Sequence, residues 1–227
     1  MSKTIIVEAA SKAQHTATVI FLHGLGDSGA GWAPMAYMMR DSPRQTHVKW
    51  ILPTAPIQPV TMNHGYKMNS WFDIYDLRPG GTEDEKGLLE SVSTVQKLIK
   101  QEIDNGIDPS RIIVGGFSQG AAISVLTGIT TEYKLGGIVA LSGFLTLSNK
   151  VKSMMVEHAP KYPLFWGHGT DDPVVAYEWG KRSVDKLREL GWNNIQFETY
   201  RGLPHSFCEP ERVDFEAWLA KVIPEKQ

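Results

Sequence analysis

The segment from Gly116 to Gly120 contains the residue whose chemistry is easiest to recognise. It reads Gly-Phe-Ser-Gln-Gly, follows the apolar run 111–115 and precedes the apolar run 121–126. This pattern predicts a buried strand, a tight turn that carries Ser118, and a helix. The two end glycines would let strand and helix approach closely, and the first N–H groups of the helix would face the negative charge that develops in acyl transfer. The segment is typical of a nucleophile elbow, although a plain glycine-rich connection is the alternative.

A nucleophilic serine needs a neutral imidazole to accept its proton. Among the seven histidines, His205 comes soon after the last predicted strand, 196–200. His168 also ends a predicted strand, but it stands between two glycines and close in sequence to the acid candidates. We therefore predict His205 as the general base, with a satisfied surface histidine as the alternative, and we interpret His168 as structural.

A carboxylate must hold that imidazole in the right tautomer, and two candidates are adjacent. Asp171 and Asp172 follow the predicted strand 163–167 and precede Pro173. Proline restricts the residue before it to an extended backbone, which favours Asp172 over Asp171. Asp171 would then be a solvated or helix-capping neighbour, and capping by the pair is the alternative for both. The order serine, aspartate, histidine is that of α/β-hydrolases.

Acyl transfer also needs N–H donors for the oxyanion. The backbone N–H of Gln119, directly after the serine, would supply one, and a loop after an early strand supplies the second. The segment His23–Gly29 follows the predicted strand 18–22 and contains three glycines that let N–H groups turn toward a ligand. We predict Leu25 as the second donor.

The same glycines, Gly24, Gly26 and Gly29, also reproduce the spacing of a dinucleotide-binding loop. A dinucleotide site would need an acidic residue at the end of the next strand, and the sequence has none nearby. Asp27 is more plausibly a residue that ties the loop down. We therefore favour the oxyanion loop over a nucleotide site.

The elements that must position these residues alternate along the chain. Apolar β-branched runs predict the strands 4–8, 18–22, 49–52, 111–115, 137–141, 163–167 and 196–200. Helical spacing predicts helices at 88–104, 179–191 and 211–222. This alternation is typical of a mostly parallel sheet covered on both faces. The segments 53–81 and 144–162 are expected to be irregular loops near the ligand crevice.

Composition limits the partners and the compartment. The chain has 227 residues, 42% hydrophobic and 21% charged, with a net charge of −2, so we expect one domain over residues 1–227 and no nucleic-acid partner. Its one cysteine excludes an intrachain disulfide. With no leader pattern and no apolar stretch of membrane-spanning length, we expect a cytoplasmic protein with peripheral membrane contact at most.

Several motifs together resemble the acyl-protein thioesterases of the phospholipase/carboxylesterase family of α/β-hydrolases. The resemblance runs nearly end to end, and it is carried by the segments 21–27, 59–61, 68–74, 115–120, 138–143, 168–175 and 202–205. It implies an α/β-hydrolase fold without a large lid domain. It also implies cleavage of fatty-acyl (palmitoyl) thioesters from protein cysteines, and often of lysophospholipids or small esters, without a metal or an organic cofactor. We expect a monomer or a weak homodimer.

The resemblance implies the same site residues as the residue-by-residue reasoning. It gives Ser118, Asp172 and His205 as the triad, and Leu25 and Gln119 as the oxyanion donors. Trp71 would lie beside the acyl site, with a plain core aromatic as the equal alternative. Thr170 stands where relatives often have aspartate, which matters little if Asp172 carries the role.

A fatty chain needs an apolar trough, which methionine suits because its side chain is adaptable. Met154 and Met155, with Leu145, Leu147 and Val156, are the candidates for this trough, and an ordinary core cover is the equal alternative. The cluster of Met35, Met38 and Met39 has helical spacing and is expected to belong to the core.

Two rival functions stay open at this level. A general carboxylesterase or lysophospholipase would use the same machinery, because specificity depends on the shape of the channel. A binding protein could also keep the hydrolase fold without turnover.

Cys208, three residues beyond His205, is expected to be inert, because no positive neighbour in the local sequence lowers the pKa of its thiol. We predict that Cys208→Ser keeps most of the hydrolytic activity. Steady-state rates on a p-nitrophenyl ester would test this, and near-complete loss would contradict it.

Overall fold

The computed structural model describes residues 4–10, 15–76 and 81–226. Its centre is a sheet of seven strands: β1 (Ile5–Val7), β2 (Ala17–Leu22), β3 (Val48–Leu52), β6 (Ile112–Phe117), β7 (Gly137–Leu141), β8 (Leu164–Gly169) and β9 (Ile195–Tyr200). Two further strands, β4 (Ile57–Val60) and β5 (Tyr66–Asn69), form a separate hairpin. The seven sheet strands are those that the apolar runs predict.

The strand order in the sheet is β1-β3-β2-β6-β7-β8-β9. Only β1 pairs antiparallel with its neighbour, and the other five pairings are parallel. From β2 the chain moves outward to β3, whereas from β6 it moves the other way to β7. The order therefore reverses between β2 and β6, and the loops that leave these two strands diverge and open a crevice.

Six helices in the described ranges connect and cover the strands: α1 (Gly29–Asp41), α2 (Glu85–Asp104), α3 (Gln119–Thr130), α4 (Val151–Met154), α5 (Tyr177–Glu189) and α6 (Glu209–Val222). The predicted helices correspond to α2, α5 and α6, and each begins two or three residues earlier than its apolar spacing predicts. In α2 the reason is a cap, because the Asp84 carboxylate accepts the Gly87 N–H at 3.0 Å.

Alternating side chains along each strand divide the core into two layers. Val19 and Phe21 of β2 pack on one face with the apolar stripes of α1 and α6. Ile20 and Leu22 pack on the other face with the stripes of α2, α3 and α5. The fold is thus an α/β sandwich with helices on both faces, as the sequence predicts.

The two segments expected to be irregular contain structure. The first, 53–81, forms the β4–β5 hairpin, although its residues 77–80 lie outside the described part of the chain. Pro59 lies within β4, and proline in an apolar run argues against a central strand but is compatible with an edge. The second segment, 144–162, contains α4 and a short 3₁₀ turn at Ala159–Lys161.

None of the helices in the described ranges combines the length and the apolar character that crossing a membrane requires.

A buried ion pair lies at the opposite end of the sheet from the loops after β2 and β6. The Glu102 carboxylate, 2% exposed, accepts from Lys49 Nζ at 2.7 Å and from Thr18 Oγ1 at 2.7 Å. Burial acts to raise the pKa of Glu102, but the hydrogen bonds from Lys49 and Thr18 outweigh it and hold that pKa below its usual value. The ion pair therefore stabilises the fold above the unfolded pKa of glutamate, and this contribution is lost as the pH falls through the folded pKa.

We predict that Glu102→Gln lowers the free energy of unfolding by about 3 kcal/mol at pH 7, because it leaves the Lys49 ammonium without its carboxylate. Urea unfolding at pH 7 and at pH 4 would measure this, and the difference from wild type should shrink at the lower pH. Asp104→Asn, which breaks an exposed pair with Lys100, is the matched control and should have far less effect. Equal losses in both variants would contradict the prediction.

Candidate active site

Ser118 occupies a strained turn between β6 and α3. Its φ is 54° and its ψ is −116°, and its N–H donates to the Leu141 carbonyl at 2.8 Å. A Cβ on Gly120 would lie 2.2 Å from the Leu22 carbonyl oxygen, and one on Gly116 would lie 2.5 Å from the Gly120 backbone. Only glycine fits at both positions, so the predicted close approach of strand and helix is confirmed.

The side chains of Ser118, His205 and Asp172 form one hydrogen-bonded chain. Ser118 Oγ lies 2.9 Å from His205 Nε2, and His205 Nδ1 lies 2.7 Å from Asp172 Oδ2. The three residues come from the loops after β6, β9 and β8, and all three loops start at the C-terminal ends of parallel strands. In this arrangement Nδ1 carries a proton for the carboxylate, and Nε2 is free to accept the serine proton.

Asp172 is held as a carboxylate although its side chain is fully buried. Its Oδ1 accepts the N–H groups of Val174 at 2.9 Å and Val175 at 2.8 Å, while Oδ2 faces His205. Burial acts to raise the pKa of Asp172, but these hydrogen bonds outweigh it and hold that pKa below its usual value. The group that orients the histidine therefore stays ionised at neutral pH.

The neighbours of Asp172 have other roles. Asp171 is exposed and lies outside the hydrogen-bonded chain, and the following helix α5 begins only at Tyr177, with Ala176 as its N-cap. The capping alternative for the two aspartates is therefore excluded. Thr170 Oγ1 accepts the Gly202 N–H at 2.8 Å, which connects the loop of Asp172 to the loop of His205.

His168 is fully buried, and its Nε2–H donates to the Val175 carbonyl at 2.8 Å. Burial lowers its pKa, so the ring is neutral at physiological pH. Because Val175 also donates its N–H to Asp172, His168 supports the acid loop. Its interpretation as a structural residue agrees with this position.

The two predicted oxyanion donors line the same cavity as Ser118. Gln119 is the first residue of α3, so its N–H lies at the positive end of the helix and has no partner within it. Leu25 lies in the loop after β2, which is paired with β6 through Leu22 and Gly116. Among the described residues neither N–H has a protein acceptor, so both are available to an oxygen bound beside Ser118.

The cavity above Ser118 has a volume of about 610 Å³, within the range of small-molecule sites. Its walls are largely apolar and are formed by Trp32, Met35, Met38, Met62, Ile74, Phe117, Phe144, Val174 and Phe207, among others. Phe117 packs against the His205 ring with ring centroids 4.7 Å apart.

Three predicted substrate contacts do not line this cavity. Met154 and Met155 pack partly buried against the core, and Trp71 is 3% exposed behind the loop of Leu25; none of the three lines the cavity. This position agrees with the core-cover alternative for Met154, the last residue of α4, and for Met155, which follows it. Trp71 is likewise buried in the core, and its N–H groups bond to the loops around Ser118.

Sequence reasoning missed the methionines that do line the cavity. Met35 and Met38 face it from α1, whereas Met39 is fully buried in the core. The expectation that all three belong to the core is wrong for Met38, which is 53% exposed. The available signal was that α1 follows the loop of Leu25 directly, which places its first turns beside Ser118.

The surroundings of Gly29 and Cys208 agree with the interpretations made from the sequence. A Cβ on Gly29 would lie 2.1 Å from the Leu52 carbonyl oxygen, so helix packing explains this glycine without a nucleotide. Burial and nearby carboxylates raise the pKa of the Cys208 thiol, which agrees with an inert cysteine.

Within the described residues, no group of three or more histidine, cysteine, aspartate or glutamate side chains is placed to hold a metal ion.

Comparison with known proteins shows the family of this chain. The family model for phospholipase/carboxylesterase matches residues 3–223. Acyl-protein thioesterase 1 of Cryptococcus neoformans is 51% identical, over 93% of this chain and 94% of that protein, and its counterpart in Yarrowia lipolytica is 46% identical, over 96% and 97%.

Among solved structures, acyl-protein thioesterase 2 of Zea mays superposes with a TM-score of 0.86 at 30% identity, covering 98% of this chain and 100% of that one. SOBER1 of Arabidopsis thaliana also gives 0.86, at 35% identity and with coverage of 91% and 99%. The chain thus belongs to the phospholipase/carboxylesterase family and has the α/β-hydrolase fold.

Proposed function

We propose that this protein is a serine hydrolase that cleaves fatty-acyl thioesters, palmitoyl thioesters among them, from protein cysteines. The observation that carries the proposal is the hydrogen-bonded chain Ser118–His205–Asp172, which opens into an apolar cavity. The names of relatives that share nearly the whole chain support the thioester as substrate.

In the proposed mechanism, Ser118 Oγ attacks the acyl carbonyl carbon as His205 Nε2 takes the hydroxyl proton. The N–H groups of Leu25 and Gln119 stabilise the oxyanion of the tetrahedral intermediate. Asp172 stabilises the imidazolium that forms. His205 then returns the proton to the sulfur of the departing cysteine, which leaves an acyl-enzyme.

In the second half of the reaction, His205 removes a proton from a water molecule that attacks the acyl carbon. The tetrahedral intermediate collapses, Ser118 recovers its proton from His205, and the fatty acid leaves. Apart from the substrate and the attacking water, every group that these steps use is a residue of this chain. We propose no metal or organic cofactor.

The chemistry of the cavity supports an acyl chain as the bound group. Its walls are apolar, and the polar groups concentrate at the reacting end around Ser118. Transfer of methylene groups from water to such walls is favourable by about 0.8 kcal/mol each. The single cysteine of the chain supports a reducing, cytoplasmic location, where S-acylated proteins would be the partners.

A general carboxylesterase or lysophospholipase remains the second candidate, because the family model bears that description. Values of kcat/KM for a palmitoylated peptide, lysophosphatidylcholine and short p-nitrophenyl esters would rank the three substrate classes. We expect the palmitoylated peptide to give the largest value. A larger value for lysophosphatidylcholine would contradict the thioesterase proposal while leaving the serine mechanism intact.

We predict that Ser118→Ala lowers kcat by at least about 10⁴-fold, because the nucleophile is lost while the fold is kept. A fluorophosphonate probe should label the wild type and leave Ser118→Ala unlabelled. Cys208→Ser is the matched control, since it removes the nearby thiol and should label normally. Equal labelling of wild type and Ser118→Ala would disprove the assignment of the nucleophile.

We also predict that Met38→Glu lowers kcat/KM about fivefold for long acyl chains and much less for an acetyl ester. A charged side chain on this wall would lose about 1 kcal/mol of apolar contact with the distal part of a long chain. A series of p-nitrophenyl esters from two to sixteen carbons would measure the dependence. Val213→Glu, at an exposed valine on α6 that does not line the cavity, is the control. The same loss at every chain length would contradict this role of Met38.

A further inference from the structure

We propose that residues 69–72 form a brace that positions both oxyanion donors, and that Trp71 is its main positioning residue. The brace is the short segment that follows β5 and passes behind the cavity. It touches the loop of Leu25 on one side and the side chain of Gln119 on the other. The inference rests on the proposed function, because it concerns the oxyanion site of that reaction.

On the first side, the brace holds the residues that flank Leu25. Trp71 Nε1–H donates to the His23 carbonyl at 2.9 Å, two residues before Leu25. The Gly26 N–H donates to the Asn69 carbonyl at 2.8 Å, and Asn69 Nδ2 donates to the Asp27 carbonyl at 2.7 Å. The backbone is therefore held two residues before the donor and directly after it.

On the second side, the brace holds the side chain of Gln119, whose backbone N–H is the other donor. The Trp71 N–H donates to Gln119 Oε1 at 2.9 Å, and Gln119 Nε2 donates to the Phe72 carbonyl at 2.7 Å and to Ser70 Oγ at 3.0 Å. The Gln119 side chain is buried, with 1% of the residue exposed. Trp71 is the one member of the brace that donates in both directions.

The loop of Leu25 needs such support because no regular element contains it. Strand β2 ends at Leu22 and α1 begins at Gly29, and Gly26 between them has a φ of 79°. Oxyanion donors act when they lie 2.7–3.1 Å from the oxygen that develops charge, so a small displacement of this loop weakens them.

A neutral histidine completes the support from inside the loop. His23 Nδ1–H donates to the Gly24 carbonyl at 2.6 Å, and its Nε2 accepts the Ala55 N–H at 2.9 Å. Burial lowers the pKa of His23, which keeps Nε2 an acceptor at neutral pH. The brace is anchored in turn, because Ser91 Oγ donates to the Trp71 carbonyl.

Trp71 does not line the cavity, so its indole N–H can influence the reaction only through the geometry of the oxyanion loop. A brace of this kind has a distinct kinetic signature. It stabilises the transition state without contacting the ground-state acyl chain, so its loss lowers kcat and leaves KM nearly unchanged.

The test is Trp71→Phe, which removes the indole N–H and keeps an aromatic ring. With p-nitrophenyl butyrate we expect kcat to fall about five- to tenfold, the effect of one lost buried hydrogen bond, and KM to change less than about twofold. Affinity for an alkyl trifluoromethyl ketone, whose Ser118 adduct carries an oxyanion, should fall by the same factor as kcat.

The matched control is Trp192→Phe. Trp192 is also fully buried, and its Nε1–H donates to the Tyr162 carbonyl at 2.8 Å, away from the cavity. Urea unfolding should give similar stability losses for the two variants, while Trp192→Phe keeps kcat. Equal kcat losses in both variants, no loss in Trp71→Phe, or a change in KM instead of kcat would each overturn the proposal.

If Trp71→Phe does not fold, Asn69→Ala provides the test. Asn69 is only half-buried, at the end of the hairpin, so its substitution should leave the fold intact. It removes the bond to the Asp27 carbonyl and should lower kcat several-fold with KM unchanged; an unchanged kcat would overturn the brace. Wild-type turnover and fluorophosphonate labelling are measured in parallel. Their absence would disprove the proposed function, whereas normal wild-type activity with no effect of either variant would disprove only the brace.

Discussion

The parallel pairing of β2 with β6 is the constraint on which the rest of the site depends. Residues Leu22 and Gly116 lie opposite each other at the ends of these strands, so the loops that follow leave the sheet side by side. One loop leads to α1 on one face, and the other leads to α3 on the opposite face. The space between the diverging loops is where Leu25, Ser118 and Gln119 meet.

This arrangement requires a backbone geometry that costs free energy. A non-glycine residue with the φ and ψ of Ser118 is destabilised by about 1–3 kcal/mol, so the surroundings must hold it in place. The Leu141 carbonyl, the glycines on both sides and the locked Gln119 side chain do so together. In this conformation the serine lines the cavity, and its hydroxyl lies within reach of His205.

The charged group of the site, the Asp172 carboxylate, is also held by a few specific contacts. The Asp172 carboxylate is buried, and three N–H groups compensate for its lost hydration, two from the backbone and one from His205. Phe117 lies between the rings of Trp32 and His205, which joins the apolar wall to the imidazole. Phe117 therefore contacts both the imidazole, at the polar end of the site, and the apolar wall. This arrangement suits a substrate with a carbonyl at one end and a hydrocarbon chain at the other.

The features of the site that depend on local chemistry are predictable from the sequence. Glycines two residues either side of Ser118, proline after Asp172 and the position of His205 after a strand act within a few residues, and the structure brings these side chains together as the pattern predicts. The five inner strands of the sheet were also predictable, because strands buried on both faces are nearly continuous apolar runs. The hairpin was not predicted, because Pro59 and the exposed residues around it interrupt the apolar pattern in a pair of strands that is separate from the main sheet.

Which apolar residues face the cavity depends on the tertiary packing. Helical spacing identifies the buried stripe of α1, but it does not show that Met35 and Met38, at the edge of this stripe, line the cavity. It also does not show that Met154 and Met155 pack against the core instead. The contacts of Trp71 depend on tertiary packing in the same way. Its size predicts burial, but its hydrogen bonds to His23 and Gln119 depend on where two segments distant in the sequence meet. The physical reason is that periodicity fixes the direction of a side chain relative to its own element, while the shape of a cavity depends on how separate elements pack.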